Sequence, residues 1–257
     1  MKAVILAGGY GTRLSEETHL IPKPMVEIGG KPIIWHIMKI YSFFGINEFV
    51  ILLGYKGNII KDYFTHYFIY QNDVTFDIAN NEYIVHNKVA EPWKVTMVDT
   101  GDGTMTGGRL LRAKRYLEGG RFMLTYGDGV GDVDMNKLLA FHKEKGGVAT
   151  LTSVLPEGRF GSVVADSDGS VQTFFEKPKG DKQWINAGFF VFEPEIFDYI
   201  KDGDDTILER RPLEDLSRDH MLYTYKHDGF WKAMDTLRDK VKLEELWQGE
   251  APWKLWT

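Results

Sequence analysis

The stretch Lys2–Leu14, "KAVILAGGYGTRL", passes without a break from an apolar run into three glycines, a threonine and an arginine. Ala3-Val4-Ile5-Leu6-Ala7 is β-branched and aliphatic and has the length of a fully buried strand; it is far too short to span a membrane. Gly8, Gly9 and Gly11 then permit positive φ and a close approach of backbone N–H groups to a ligand, while Arg13 adds a planar cation matched to phosphate oxygens. A core strand followed by such a loop predicts an anion site, a nucleotide above all. A tight turn with a surface arginine is the competing reading, and glycine content alone leaves both open.

After the loop, Pro32 begins "PIIWHIMKIYSFFG", whose Ile33, Ile34, Ile37, Met38, Tyr41 and Phe44 fall at helical spacing with Gly45 at the end. "EFVILLG" reads as a second buried strand and "NIIKDYFTHYF" as a second helix, and this alternation implies a parallel sheet wrapped by helices. From Asn72 to Thr100 the pattern changes: two strands around Asn80-Asn81, then "KVTMVDTG", read as a β excursion from the main sheet. "RFMLTYGDG" is again a central strand, ending in a turn that carries Asp128. "MNKLLAFHKEKG", "DTILERRPLEDLSR" and "DTLRDKVKLEELWQ" read as helices; "VATLTSV", "GSVVAD", "SVQTFFEKP", "INAGFFVFEP" and "MLYTYKH" read as strands. The expected fold class is α/β, a Rossmann-like mixed and mostly parallel sheet flanked by helices. With no repeat or linker, residues 1–257 are read as a single domain with an excursion over about 72–100.

The formal net charge of −6 and the absence of a basic tract exclude an ordinary nucleic-acid binder. Positive charge is instead local: residues 1–39 hold five basic residues (Lys2, Arg13, Lys23, Lys31, Lys39) against three acidic ones (Glu16, Glu17, Glu27), which suits a small anionic ligand. The lack of cysteine rules out disulfides, thiolate metal sites and a cysteine nucleophile, and points to a reducing cytoplasm. No apolar run is long enough for a membrane span or a signal-peptide core, so neither membrane association nor export is expected.

The glycine loop fits neither familiar nucleotide fingerprint. Leu14 follows where a dinucleotide loop needs a third glycine, and Gly30-Lys31 runs into Pro32 where a P-loop needs serine or threonine. The seven histidines offer no zinc spacing, and no Gly-x-Ser-x-Gly elbow occurs. With "LAGGYGTRL" at 6–14, "PKPM" at 22–25, "YGD" at 126–128, "EKP" at 176–178, "NAG" at 186–188 and "WKAMDT" at 231–236, the chain resembles the sugar-1-phosphate nucleotidylyltransferases. These motifs stand in the family's order and span nearly the whole chain.

The resemblance implies that a sugar phosphate oxygen attacks the α-phosphorus of a nucleoside triphosphate and pyrophosphate departs, so positioning and charge neutralisation carry most of the catalysis. "LPEGRFGSV", "INAGFFVFEPEIFDYI" and "LWQGEAPWKLW" resemble the members that use CTP and α-D-glucose 1-phosphate to make CDP-glucose, a precursor for deoxysugars of bacterial surface polysaccharide such as O-antigen. On this resemblance Arg13, Lys23 and Asp128 are the catalytic candidates. Leu6, Ala7, Gly8, Gly9, Tyr10, Gly11, Thr12, Arg13 and Lys23 would hold the nucleotide, with Gly103 and Thr104 beside the base. Tyr126, Gly127, Glu176, Lys177, Asn186 and Gly188 would hold the sugar phosphate. Asp128 and Asp235 would be the ligands of Mg²⁺, which favours one or two carboxylates plus phosphate oxygens and water. Family members are commonly oligomers; a homo-oligomer is expected, with a hexamer among the options.

Each of these residues has a plainer reading. Lys23 alone would be a solvated loop lysine, and Asp235 alone an N-cap for the helix that follows. The chain also departs from the family pattern: Glu16 stands where proline is common, and Gly129 where asparagine often follows the aspartate, a loss for which Asp132 and Asp134 are candidate compensators. Asp132-Val133-Asp134 also matches the Asp-x-Asp of metal-dependent glycosyltransferases, a reading that leaves Gly8–Arg13 and Pro22–Met25 without a role. UTP or dTTP in place of CTP, or a non-catalytic nucleotide-sugar binder, are further alternatives. Trp247, Trp253 and Trp256 fit either a core flap or a subunit interface.

Overall fold

The computed structural model describes residues 1–14, 18–87, 90–117, 119–156, 162–166, 170–175 and 183–257. In chain order the first half carries β1 (Lys2–Ala7), α1 (Ile33–Phe43), β2 (Glu48–Leu53), α2 (Gly57–Tyr70), β3 (Val74–Asp77), β4 (Glu82–Val85), β5 (Lys94–Asp99) and α3 (Thr106–Arg112). The second half carries β6 (Phe122–Tyr126), β7 (Gly129–Gly131), α4 (Met135–Lys145), β8 (Ala149–Val154), β9 (Ser162–Ala165), β10 (Val171–Phe175), β11 (Ile185–Phe192), α5 (Arg211–Arg218), β12 (Leu222–His227), β13 (Trp231–Ala233) and α6 (Leu237–Gln248).

Seven of these strands form one sheet in the order β12-β8-β11-β6-β1-β2-β5. β1 pairs in parallel with β2 on one side and β6 on the other, so its backbone is bonded on both edges and its side chains are covered on both faces. Such a strand reads as a continuous apolar run, as Ala3–Ala7 does. Its alternate residues split between two cores: Ala3, Ile5 and Ala7 face the layer of α1, α4 and α6, whereas Val4 and Leu6 face the layer of α3 and α5. β11 is antiparallel to both of its neighbours, β6 and β8, which makes the sheet mixed.

The excursion expected over 72–100 is smaller than the sequence pattern suggested. Only β3 and β4 leave the sheet, as a hairpin turning at Asn81 (φ 54°), while β5 returns as the edge strand beside β2. Half-buried Val95 and Met97 give β5 a weaker apolar face than a central strand has, and this is why it reads like its neighbours in the hairpin. The helix expected over 205–218 is confined to α5, which starts at a position where Pro212 needs no N–H partner. The segment before it cannot continue the helix, because the Thr206 carbonyl accepts hydrogen bonds from Gly107 and Gly108 of α3. No helix among the described residues is long and apolar enough to cross a membrane.

The C-terminal tryptophans belong to the core. Trp253 is fully buried, stacks on Trp247 and Phe230, and points its indole N–H at His36 Nδ1, while Trp256 meets Trp35 edge-on. His36 Nε2 in turn lies 2.9 Å from the Ile28 carbonyl. Burial pushes the His36 pKa down to about 4, only partly opposed by hydrogen bonding to the backbone of Ile28 and Lys31. Because the folded pKa lies below the unfolded one, the unfolded chain takes up the proton first. The stabilisation from neutral His36 is therefore full above about pH 6.5 and is lost as pH falls toward 4. We expect about 2 kcal/mol to be gone by pH 5. Urea unfolding at pH 7 and pH 5 should show this loss in the parent protein, and His36→Gln should shrink it; an equal pH response in both would refute the assignment.

Candidate active site

The carboxyl ends of β1, β5 and β6 converge on one cavity of about 500 Å³. In open α/β sheets ligands bind at this end, where loops leave the strands. Residues 6–12, Lys23, Gly103, Thr104, Tyr126, Gly127 and Asp128 all line it. The glycine loop, the predicted base residues and, of the predicted sugar-phosphate residues, Tyr126 and Gly127 thus share one cavity, whose lining does not include Asn186 or Gly188. The backbone of Arg13 lies in a short 3-10 turn, Thr12–Leu14; its side chain, and the whole of Glu176 and Lys177, lie outside the described residues.

Lys23 is held in a tight turn, Lys23–Met25, whose flanking Pro22 and Pro24 restrict the backbone. Its ammonium is 2.6 Å from Asp128 Oδ2 and 2.7 Å from Asp235 Oδ1. Burial pulls the Lys23 pKa down, but the charges and hydrogen bonds of Asp128 and Asp235 outweigh it and hold the pKa above the usual lysine value. Lys23 is a charged group facing two carboxylates that are far apart in sequence. What joins these two is the short ladder of β7 with β13, in which Gly129 pairs with Ala233 and the Met234 N–H donates to the Asp128 carbonyl. The capping role open to Asp235 in the sequence falls instead to Thr236, which forms a capping box with Asp239 at the start of α6.

The compensation sought from Asp132 and Asp134 is absent. Asp134 caps α4 by accepting from the N–H groups of Asn136 and Lys137, and Asp132 Oδ1 is hydrogen-bonded to His227 Nε2 at 2.9 Å. With Asp134 Oδ1 taken by the start of α4 and Asp132 Oδ1 by His227, the two carboxylates have separate structural uses, which weighs against an Asp-x-Asp metal motif and the glycosyltransferase alternative.

Asn186 and Gly188 lie at the start of β11, next to Tyr126. Asn186 Nδ2 donates to the Tyr126 hydroxyl at 3.2 Å, and Asn186 Oδ1 accepts from the Gly188 N–H. Gly188 has φ +80°, and a Cβ there would come within 2.3 Å of the Tyr126 ring, so only glycine lets the ring sit flat against the strand.

Several cavity residues are not singled out by the sequence, Asp102, Met105, Thr106 and Arg109 among them. Arg109, on α3, is only 5% exposed and donates to the carbonyls of Leu53, Gly101, Gly8 and Asp102 and to the Thr100 hydroxyl. Burial lowers its pKa, with Asp102 and Tyr10 opposing. The guanidinium ties the glycine loop to the ends of β2 and β5. It needs bare backbone to do so: a Cβ at Gly8 or Gly54 would meet it at 2.3 Å. "TMTGGRLLR" resembles a turn because its two glycines are poor helix formers, and nothing in it distinguishes Arg109, the buried arginine, from Arg112.

The donor chemistry suits a divalent cation of the oxygen-loving type. Asp128 and Asp235 already converge on one positive charge, and two carboxylates leave coordination positions for phosphate oxygens and water. Among the described residues no group of three or more His, Cys, Asp or Glu is arranged to hold a metal ion, so the pair would rely on substrate and water oxygens for its remaining ligands.

A family model described as "Nucleotidyl transferase" matches residues 2–239. Among curated proteins, the chain is 57% identical to glucose-1-phosphate cytidylyltransferase of Salmonella typhi and 46% identical to a probable glucose-1-phosphate cytidylyltransferase of Bacillus subtilis, each over the full length of both chains. In fold it is similar to the crystal structure of a UDP-glucose pyrophosphorylase complexed with UDP-glucose, with a TM-score of 0.66 at 15% identity, covering 96% of this chain and 98% of that one. The family generally works with a divalent metal, as the carboxylate pair would allow. With a glycine loop, a lysine between prolines and Asp128 lining one cavity, and a family model matched over residues 2–239, this protein belongs to the nucleotidyl transferase family.

Proposed function

We propose that the chain transfers the cytidylyl group of CTP to α-D-glucose 1-phosphate, giving CDP-glucose and pyrophosphate. The observation that carries this reading is the full-length 57% identity to the Salmonella typhi enzyme of that name. In the reaction a phosphate oxygen of the sugar phosphate forms the new bond to the α-phosphorus, and the bond to the β-phosphate oxygen breaks with its electron pair leaving on pyrophosphate. Backbone N–H groups of Gly8–Thr12, with Arg13, would hold the triphosphate and the departing pyrophosphate. Lys23, already charged and desolvated, would turn from the carboxylates toward phosphate oxygens near the reacting phosphorus. Glu176, Lys177, Tyr126, Gly127, Asn186 and Gly188 would take the sugar phosphate. Mg²⁺ held by Asp128 and Asp235 would supply positive charge to the triphosphate where two polyanions must meet.

The chain would act as one domain in the cytoplasm, in the supply of CDP-glucose for deoxysugar and O-antigen synthesis. We further infer a homo-oligomer, a hexamer being one form, because the β3–β4 hairpin exposes Phe76, Ile78, Tyr83 and Ile84 together.

Base choice is the test. CTP presents an amino donor where UTP and dTTP present a carbonyl acceptor, so one buried mismatch of roughly 1–3 kcal/mol separates them. In a pyrophosphate-release assay with glucose 1-phosphate, kcat/KM for CTP should exceed that for UTP and dTTP by about ten- to a hundredfold. Equal values for CTP and UTP would overturn the cytidylyl assignment and leave only a broader nucleotidylyl transfer.

A further inference from the structure

Glu209 lies behind the cavity wall, on the segment leading into α5, and neither the glycine loop nor the carboxylate pair involves it. Its carboxylate receives two hydroxyl protons from different elements. Oε2 accepts from Thr106 Oγ1 at 2.7 Å and Oε1 accepts from the Tyr126 hydroxyl at 2.7 Å. Both donors line the cavity, Thr106 at the start of α3 beside Thr104, and Tyr126 at the end of β6 two residues before Asp128.

A hydroxyl has one proton and two lone pairs. Thr106 directs its proton at Glu209 and spends one lone pair on the Leu208 N–H, 2.9 Å away. Tyr126 directs its proton at Glu209 and spends one lone pair on Asn186 Nδ2. Each hydroxyl is left with a single lone pair for the cavity and nothing to donate. Two wall positions, one beside the predicted base residue Thr104 and one beside the predicted sugar residues Gly127 and Asn186, therefore have only acceptor capacity left, which suits an amine or a sugar hydroxyl and repels a phosphate oxygen or a carbonyl.

We propose that Glu209 is a positioning residue that fixes Thr106 and Tyr126 as hydrogen-bond acceptors, so that the nucleotide half of the cavity takes an amino or ribose-hydroxyl donor and the sugar half takes a sugar hydroxyl. This rests on the nucleotidylyl-transfer reading of the cavity. It makes one carboxylate outside the cavity responsible for the polarity of both halves.

The experiment compares Glu209→Ala, Glu209→Gln, Thr106→Val, Tyr126→Phe and the double variant Glu209→Ala/Tyr126→Phe. It reads KM for CTP and for glucose 1-phosphate, and CTP binding by calorimetry without turnover. Glu209→Ala should raise both KM values, each about tenfold, the scale of one hydrogen bond. Thr106→Val should reproduce the CTP effect and Tyr126→Phe the glucose 1-phosphate effect. Glu209→Gln keeps the shape but replaces one acceptor oxygen by a donor, so it should spare one KM and raise the other, a split that a purely structural strut would not produce. The double variant should be no worse toward glucose 1-phosphate than its worse parent. Changes under twofold in both KM values for Glu209→Ala and Glu209→Gln, or effects that multiply in the double variant, would overturn the proposal. If the parent protein releases no pyrophosphate from CTP, the functional reading fails separately. Calorimetry with CTP, UTP, GTP and dTTP then decides the nucleotide half: weaker binding to Glu209→Ala of whichever nucleotide the parent binds supports it, and unchanged binding, or no binding to the parent, overturns it.

Discussion

Asp128→Asn and Asp235→Asn are each expected to lower turnover by about a hundredfold or more, the scale on which loss of one electrostatic contact to a reacting centre acts. Asparagine keeps the shape of the side chain and removes its charge. Both carboxylates lie within hydrogen-bond distance of the one Lys23 ammonium, so they address a single cation position rather than two separate ones. Removing either should undo the unit, and the double variant should be little worse than the worse single one. Pyrophosphate release measured across a Mg²⁺ titration checks this, with thermal unfolding to show that each variant is folded. Turnover within a few-fold of the parent in a folded single variant would take that residue out of the proposed metal site.

Trp253→Ala is expected to cost about 3–5 kcal/mol of stability, the usual range for truncating a fully buried large aromatic. The side chain is completely enclosed, stacked between Phe230 and Trp247, and its N–H faces His36 in the middle of α1. A cavity there would also loosen Trp247, whose indole packs so closely over the Gly29 turn that a Cβ at Gly29 would lie 1.8 Å from it. That turn follows the Lys23–Met25 segment by a few residues, so the tail packs on the same stretch of chain that carries Lys23. Denaturant unfolding monitored by tryptophan fluorescence gives the loss directly. Since small domains have only about 5–15 kcal/mol in total, such a variant should unfold at much lower denaturant. A loss under about 1 kcal/mol would mean that the tail is a removable flap.

Local sequence determined the elements whose signals are strong within a dozen residues. β1 reads as a central strand because both of its faces are covered, and α1 reads as a helix because Pro32 precedes it and Gly45 (φ +79°) follows it. The loop residues 8–12 and Lys23 stand out in the sequence as a group of motifs, each with a plainer reading when taken alone, and the fold brings them to one cavity. Tertiary structure alone decided the rest. β5 is a strand of the main sheet because its backbone pairs with β2, Glu48 opposite Lys94, a partner far away in sequence that periodicity cannot reveal. α3 forms despite two glycines because Gly107 and Gly108 pack directly on the backbone of 204–206, where any Cβ would clash. Asp235 reads equally well as a helix cap or a ligand until the β7–β13 ladder sets it beside Lys23 and Thr236 takes the cap. Arg109 and Glu209 look like surface charges in sequence, and their roles come entirely from what the folded chain places around them. The division follows from range: propensity and periodicity act between neighbours, whereas burial and hydrogen-bond partners across the sheet exist only once the chain has closed on itself.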